Sequence, residues 1–237
     1  MNKISILIIL ISIIGIQACE VRSDGLPDKS IFEKSSELKY VGEQNLETAY
    51  KALEFTINAG TADIDLKGEP GSQIKLKIGY KEYAPGDAII SLEQGTLKTS
   101  SKSGKQVHIT SIVGTIPENL NLTFENGTGK ILLSNLRNAA RLNIESGTGD
   151  VELKNVHIRN VDIETGTGKI TMNDCVLEMA DIETGTGSIY LNGSYVKTAE
   201  VESGVGSMYL KDSTIDKQTF ESGTGKIHQE GKYKTAM

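Results

Sequence analysis

The side chains with the most evident chemical potential are acidic and periodic. Glu125, Glu145, Glu164, Glu183, Glu202 and Glu221 follow one another at intervals of 20, 19, 19, 19 and 19 residues. Asp162, Asp181 and Glu200 stand two positions ahead of three of them. A hard divalent cation such as Ca²⁺ takes several carboxylate oxygens. Glu145, Glu164, Asp162, Glu183, Asp181, Glu202 and Glu200 are therefore the candidate cation ligands, and Ca²⁺ is the candidate ion. The competing expectation is a solvated acidic face, its repulsion relieved by Lys130, Lys169 and Lys226. The pattern departs from the calcium-binding nonapeptide G-G-x-G-x-D, since only Asp150 falls near the acidic position.

Other reactive types are sparser. His108, His157 and His228 are scattered without metal-ligand spacing or triad partners. Gly127-Thr-Gly-Lys130 lacks the full phosphate-loop spacing. Thr128, Thr148, Thr167, Thr186 and Thr224 form a column interrupted by Val205, which reads as a β-branched ladder at a corner. Seven residues after successive glutamates stand Leu132, Glu152, Thr171, Tyr190, Tyr209 and His228. Tyr190 and Tyr209 should stack on the outside, as a stabilising ladder or as a contact patch for a partner. Cys175 aligns with Leu136 and Val156 and reads as a small buried apolar side chain. No set of residues specifies a reaction, so no catalytic residue and no resident metal or cofactor is assigned.

The element that positions these residues is a repeated phrase, E-x-G-x-G-x-[IVM]. It begins at each of the six glutamates, and Asn58-Ala-Gly-Thr-Ala-Asp-Ile64 is a worn copy. A fixed period near 19 means a solenoid, each repeat one coil stacked on the last. Phe124, Ile144, Ile163, Ile182, Val201 and Phe220 precede the glutamates and point inward, as do Ile131, Val151, Ile170, Ile189, Met208 and Ile227 six residues after. Each coil thus holds a strand ending at Glu, a Gly-x-Gly corner and a second strand. The glycines suit positive φ or close backbone approach. The expected fold is all-β: a single-stranded, right-handed β-solenoid with coils of 19–20 residues and an irregular N-terminal cap.

Four segments are expected. Residues 1–18 read as a signal peptide: Met1-Asn-Lys3, then an apolar run from Ile4 to Ile16 that is too short to span a bilayer. Ile16-Gln17-Ala18-Cys19 resembles a bacterial lipobox, which makes Cys19 the candidate lipidation site and the membrane a partner through its lipid. Residues 19–45 follow as a polar tether, with one helical turn expected within Glu47 to Leu53. Residues 46–116 should form irregular β coils that shield one end, with a strand at Ala88 to Leu92. Residues 117–237 hold the regular repeats, the inward columns turning polar at Gln218 and Gln229 and residues 228–234 closing the other end.

The glycine phrase, the strand before it and Ile116-Pro-Glu-Asn-Leu-Asn-Leu122 resemble the bacterial putative-adhesin domain family, also called toastrack. The resemblance covers roughly residues 50 to 230. It implies a right-handed β-solenoid of an envelope or secreted protein, and it supplies no catalytic residues to carry over. A net charge of -6 argues against nucleic acid as a partner. The coils are nearly free of insertions and there is no Trp, so no cleft or sugar platform is visible. The expected function is a non-catalytic cell-envelope lipoprotein at the outer membrane or cell surface, an interaction or adhesin-like module for a protein or glycan. The alternatives are a periplasmic structural or sensory lipoprotein and, less favoured, a carbohydrate-active β-helix enzyme.

Overall fold

The computed structural model describes residues 38–231. The signal-peptide, Cys19 and most tether assignments lie outside them. Among the described residues there is no helix, and the chain winds into a β-solenoid of about six turns. The glutamate-ending strands are β8 (Asn121–Thr128), β10 (Arg141–Thr148), β12 (His157–Thr167), β14 (Val176–Thr186), β16 (Tyr195–Val205) and β18 (Thr214–Thr224). Each is followed by a four-residue strand: β9 (Ile131–Ser134), β11 (Val151–Lys154), β13 (Ile170–Asn173), β15 (Ile189–Asn192), β17 (Met208–Lys211) and β19 (Ile227–Glu230). The long strands stack in parallel into one sheet and the short ones into another. Their register follows the repeat: Glu145 pairs with Glu125 and Glu164, and Ile170 with Val151 and Ile189.

The core lies between the two sheets. Phe124, Ile144, Ile163, Ile182 and Val201 are buried from one side, and Ile131, Val151, Ile170, Ile189 and Met208 from the other. Strict alternation along each strand puts every second apolar side chain into this column. Fully burying one such side chain is worth about 1.5–3 kcal/mol, and the ladder repeats that gain coil after coil.

The glycine columns follow from how closely successive coils approach. A Cβ on Gly168 would stand 1.9 Å from the Gly149 carbonyl oxygen, and one on Gly149 would stand 2.0 Å from that of Gly129. Gly149 also has φ +149°, which L side chains rarely adopt.

The irregular region is one end of the stack. β2 (Glu54–Thr61) and β3 (Asp63–Glu69) form a first coil, with Asn58 paired to Glu125 and Ile64 to Ile131, so the worn copy of the phrase occupies the position its spacing implied. The chain then leaves the stack through β4 (Gln73–Glu82), β5 (Ala88–Glu93), β6 (Thr96–Ser101) and β7 (His108–Pro117), and rejoins it at β8. β7 and β4 extend one sheet beyond β3, and the β5–β6 hairpin extends the other beyond β2. Buried Glu82 holds the β4–β5 loop by accepting from the Gly86 and Ala88 amides, and buried Asp87 accepts from the Ser103 amide and hydroxyl.

Two local expectations fail here. Tyr40–Ala49 is a strand, β1, paired antiparallel with β4 from Tyr40–Glu82 to Ala49–Gln73. The polar tether therefore does not reach residue 45, and the helical turn expected from Glu47 is the end of this strand. Glu43, Asn45 and Glu47 alternate with Gln44, Leu46 and Thr48, and cross-strand pairs Lys77–Glu43 (2.9 Å) and Lys75–Glu47 (3.3 Å) neutralise the outer face. The partner that makes this a strand lies some thirty residues away, so the segment alone reads as polar coil.

Candidate functional site

The long sheet presents the acidic residues outward in a straight column. Strands β8 to β18 set Glu125, Glu145, Glu164, Glu183, Glu202 and Glu221 side by side, with Asp162 and Asp181 in the next outward column beside Glu200. Paired strands lie about 4.8 Å apart, so each interior glutamate faces two like charges at that spacing. Glu183 is the most enclosed of those from Glu145 to Glu221. Partial burial raises its pKa above the ordinary carboxylate value, with Glu164, Glu202 and Asp181 adding to the shift. Asp162 is raised by desolvation and by Asp181, opposed by Arg141.

Two of the three lysines pair elsewhere: Lys130 binds Glu152 at 2.9 Å and Lys169 stands 3.8 Å from Asp150, both around the glycine corner. The Glu152 hydrogen bond raises the Lys130 pKa. At the N-terminal end of the ladder, Asn58 donates to Glu125. The seven candidate cation ligands lie in rows, one carboxylate per strand and column. Among the described residues, no three acidic, His or Cys side chains converge as a group able to hold a metal ion.

The tyrosine column is a stack. Tyr190 and Tyr209 lie 4.7 Å apart at 6°, and His228 continues the pile 4.8 Å from Tyr209 at 7°. Ring faces are thereby spent on one another and ring edges point to solvent.

Two columns were not singled out in the sequence. One residue after each glutamate, Asn126, Ser146, Thr165, Thr184 and Ser203 are buried beneath the corner. Ser203 donates to the Gly187 carbonyl (3.1 Å), while the hydroxyls of Ser146 and Thr165 have no partner among the described residues. The signal was present: if Glu points out, the next residue must point in. The second is the far corner, where Asn135, Asn155, Asp174 and Asp212 hold φ between 50° and 57° and Gly193 joins them at 57°. Asn, Asp and Gly are the types that tolerate this conformation. Cys175 opens a third column with Ser194 and Ser213. Its thiol lies 3.4 Å from the Asn173 carbonyl, as the hydroxyl of Ser194 lies 3.0 Å from that of Asn192. Burial pushes the Cys175 thiol up to about 11.

Comparison with known proteins decides the family. The family model described as Toastrack DUF4097 matches residues 50–236. This chain belongs to the Toastrack DUF4097 family. No curated protein matches it. Among solved structures, this toastrack chain is similar to a "putative adhesin" of Parabacteroides merdae, with a TM-score of 0.52, 14% identity, 80% of this chain and 96% of that one covered. It is also similar to a "putative adhesin" of Parabacteroides distasonis, with a TM-score of 0.48, 11% identity, and 81% and 97% covered. At 14% identity, the likeness to the Parabacteroides merdae structure speaks for the fold alone.

Proposed function

We propose that this toastrack chain is a non-catalytic, lipid-anchored module of a bacterial cell envelope that presents its long sheet face to a protein or glycan. The observation that supports it best is the uninterrupted outer face. From β10 to β19 every joint between strands is two residues long, so the repeats raise no loops that could wall a cleft. Carbohydrate-cleaving sites need facing carboxylates across an enclosed substrate; here the carboxylates lie in open rows on one plane. The names of the solved relatives agree with a contact role. Anchoring rests on the apolar run Ile4–Ile16 followed by Ala18-Cys19.

Two measurements test the reading. Metabolic labelling with a radioactive fatty acid should mark the wild-type chain and fail with Cys19→Ser; labelling of neither would remove the anchor, and labelling of both would move it away from Cys19. Trypsin treatment of intact cells should release the solenoid by cutting at Lys29, Lys34 or Lys39, ahead of β1. Cleavage at Lys51 alone would leave β1 paired with β4. Protection until the cells are permeabilised would move the module to the periplasm and overturn the surface assignment.

A further inference from the structure

The two ends of the stack are finished differently. At the N-terminal end, β7 and then antiparallel β4 and β1 extend one sheet past the first coil, and the β5–β6 hairpin extends the other. At the other end the last coil is exposed among the described residues: β18 pairs only with β16, and β19 only with β17. An eleven-residue and a four-residue edge of unpaired N–H and C=O groups remain, an arrangement proteins ordinarily cover. The core is open there too. Val201 and Met208 are 1% exposed, whereas their successors are half-buried Phe220 and Ile227, the latter 43% exposed.

We propose that this end is a self-association surface, closed by the same end of a second copy in a two-fold, head-to-head dimer. A copy turned to face this edge runs its strands antiparallel to those it meets. A two-fold axis through Thr219 and perpendicular to the long sheet places β18 against the partner's β18. The outward side chains of β18 suit that pairing. Lys217 and Glu221 are exposed and stand two residues either side of Thr219. With Thr219 opposite the partner's Thr219, each Lys217 faces a Glu221, and directly opposed opposite charges stabilise an antiparallel pair. Inward, the same register sets Phe220 beside Gln218 and covers the open core. The dimer covers the β18 edge and points the two β1 ends in opposite directions. That is the geometry of a contact between opposed surfaces.

The test uses the full chain carrying Thr219→Cys, with the wild type as control for Cys19 and Cys175. Opposed Cβ atoms in an antiparallel pair lie about 4.5–5.5 Å apart, within reach of a short bis-maleimide. The expected result is a cross-linked dimer with Thr219→Cys and none with the wild type. Adding Lys217→Glu should lower the dimer yield about tenfold or more, because two Glu–Glu pairs replace two Lys–Glu pairs and about 1.4 kcal/mol is a factor of ten. Adding Glu221→Lys to that variant should restore it. These residues are exposed, so circular dichroism and thermal midpoint should stay near the wild-type values in all three. A monomer in Thr219→Cys at micromolar to millimolar concentration, or a dimer indifferent to the charge reversal, overturns the proposal.

Discussion

Replacing Glu183 by Gln should make the protein more stable at neutral pH. Glu183 on β14 is register-paired with Glu164 on β12 and Glu202 on β16. At about 4.8 Å, two unit charges in water repel by roughly 0.9 kcal/mol. The side chain is only half-buried, so the water value applies. Two neighbours contribute about 1.7 kcal/mol, and a Debye length near 8 Å at physiological salt reduces this to about 1 kcal/mol. For a domain of this size, that is a rise in thermal midpoint of about 2–4 °C.

The pH dependence has a definite sign. The folded pKa of Glu183 is raised above 4.5, so the folded state holds its proton more tightly than the unfolded state does. Stability therefore falls as pH rises from the unfolded pKa to the folded one, and the penalty is complete above both. The gain from Gln should be full at pH 7 and gone below about pH 4. In about 1 M salt, where the Debye length is near 3 Å, most of it should disappear. Scanning calorimetry of both proteins at two pH values and two salt concentrations reads all of this. A Gln variant no more stable than wild type at pH 7 and low salt would refute the reasoning. Calcium titration belongs in the same experiment: an unchanged wild-type midpoint disposes of cation bridging. A rise that Glu183→Gln abolishes would establish it.

Gly168→Ala should cost more than about 3 kcal/mol, since its Cβ would press to 1.9 Å from the Gly149 carbonyl. Gly60→Ala, with nothing within 4 Å of the new methyl, should stay within about 0.5 kcal/mol by denaturant titration. Native Cys175 should resist a thiol reagent at pH 8 and react once unfolded, because burial lifts its pKa from 9.0 to about 11. Its raised pKa also means stability present below pH 9 and lost as pH climbs through 11. Cys175→Ser, which matches Ser194 and Ser213, should lack that loss when unfolding is compared at pH 8 and 10.5. Tyr209→Ser removes two stacked pairs, so a midpoint loss equivalent to about 1–3 kcal/mol is expected. An unchanged midpoint would free the column for a contact role.

The repeat was legible because its determinants are local. Alternation assigns Ile163 inward and Glu164 outward within two residues, and the 19-residue period alone sets equivalent positions in register. That was enough for the solenoid, its core columns, its corners and the outward acid and tyrosine rows. The buried polar column and the Asn–Asp–Gly corner obeyed the same local rules and were readable with closer attention to period two. Tertiary structure alone decided the rest. Whether Tyr40–Ala49 is coil or strand depends on β4, and the pairing of β4, β5, β6 and β7 within the expected end cover depends on the first coil they extend. Which lysine meets which carboxylate depends on where the corner throws each side chain, so Lys130 and Lys169 went to Glu152 and Asp150. Local side-chain alternation is written residue by residue; pairing between distant segments depends on edges that exist only once the stack has formed.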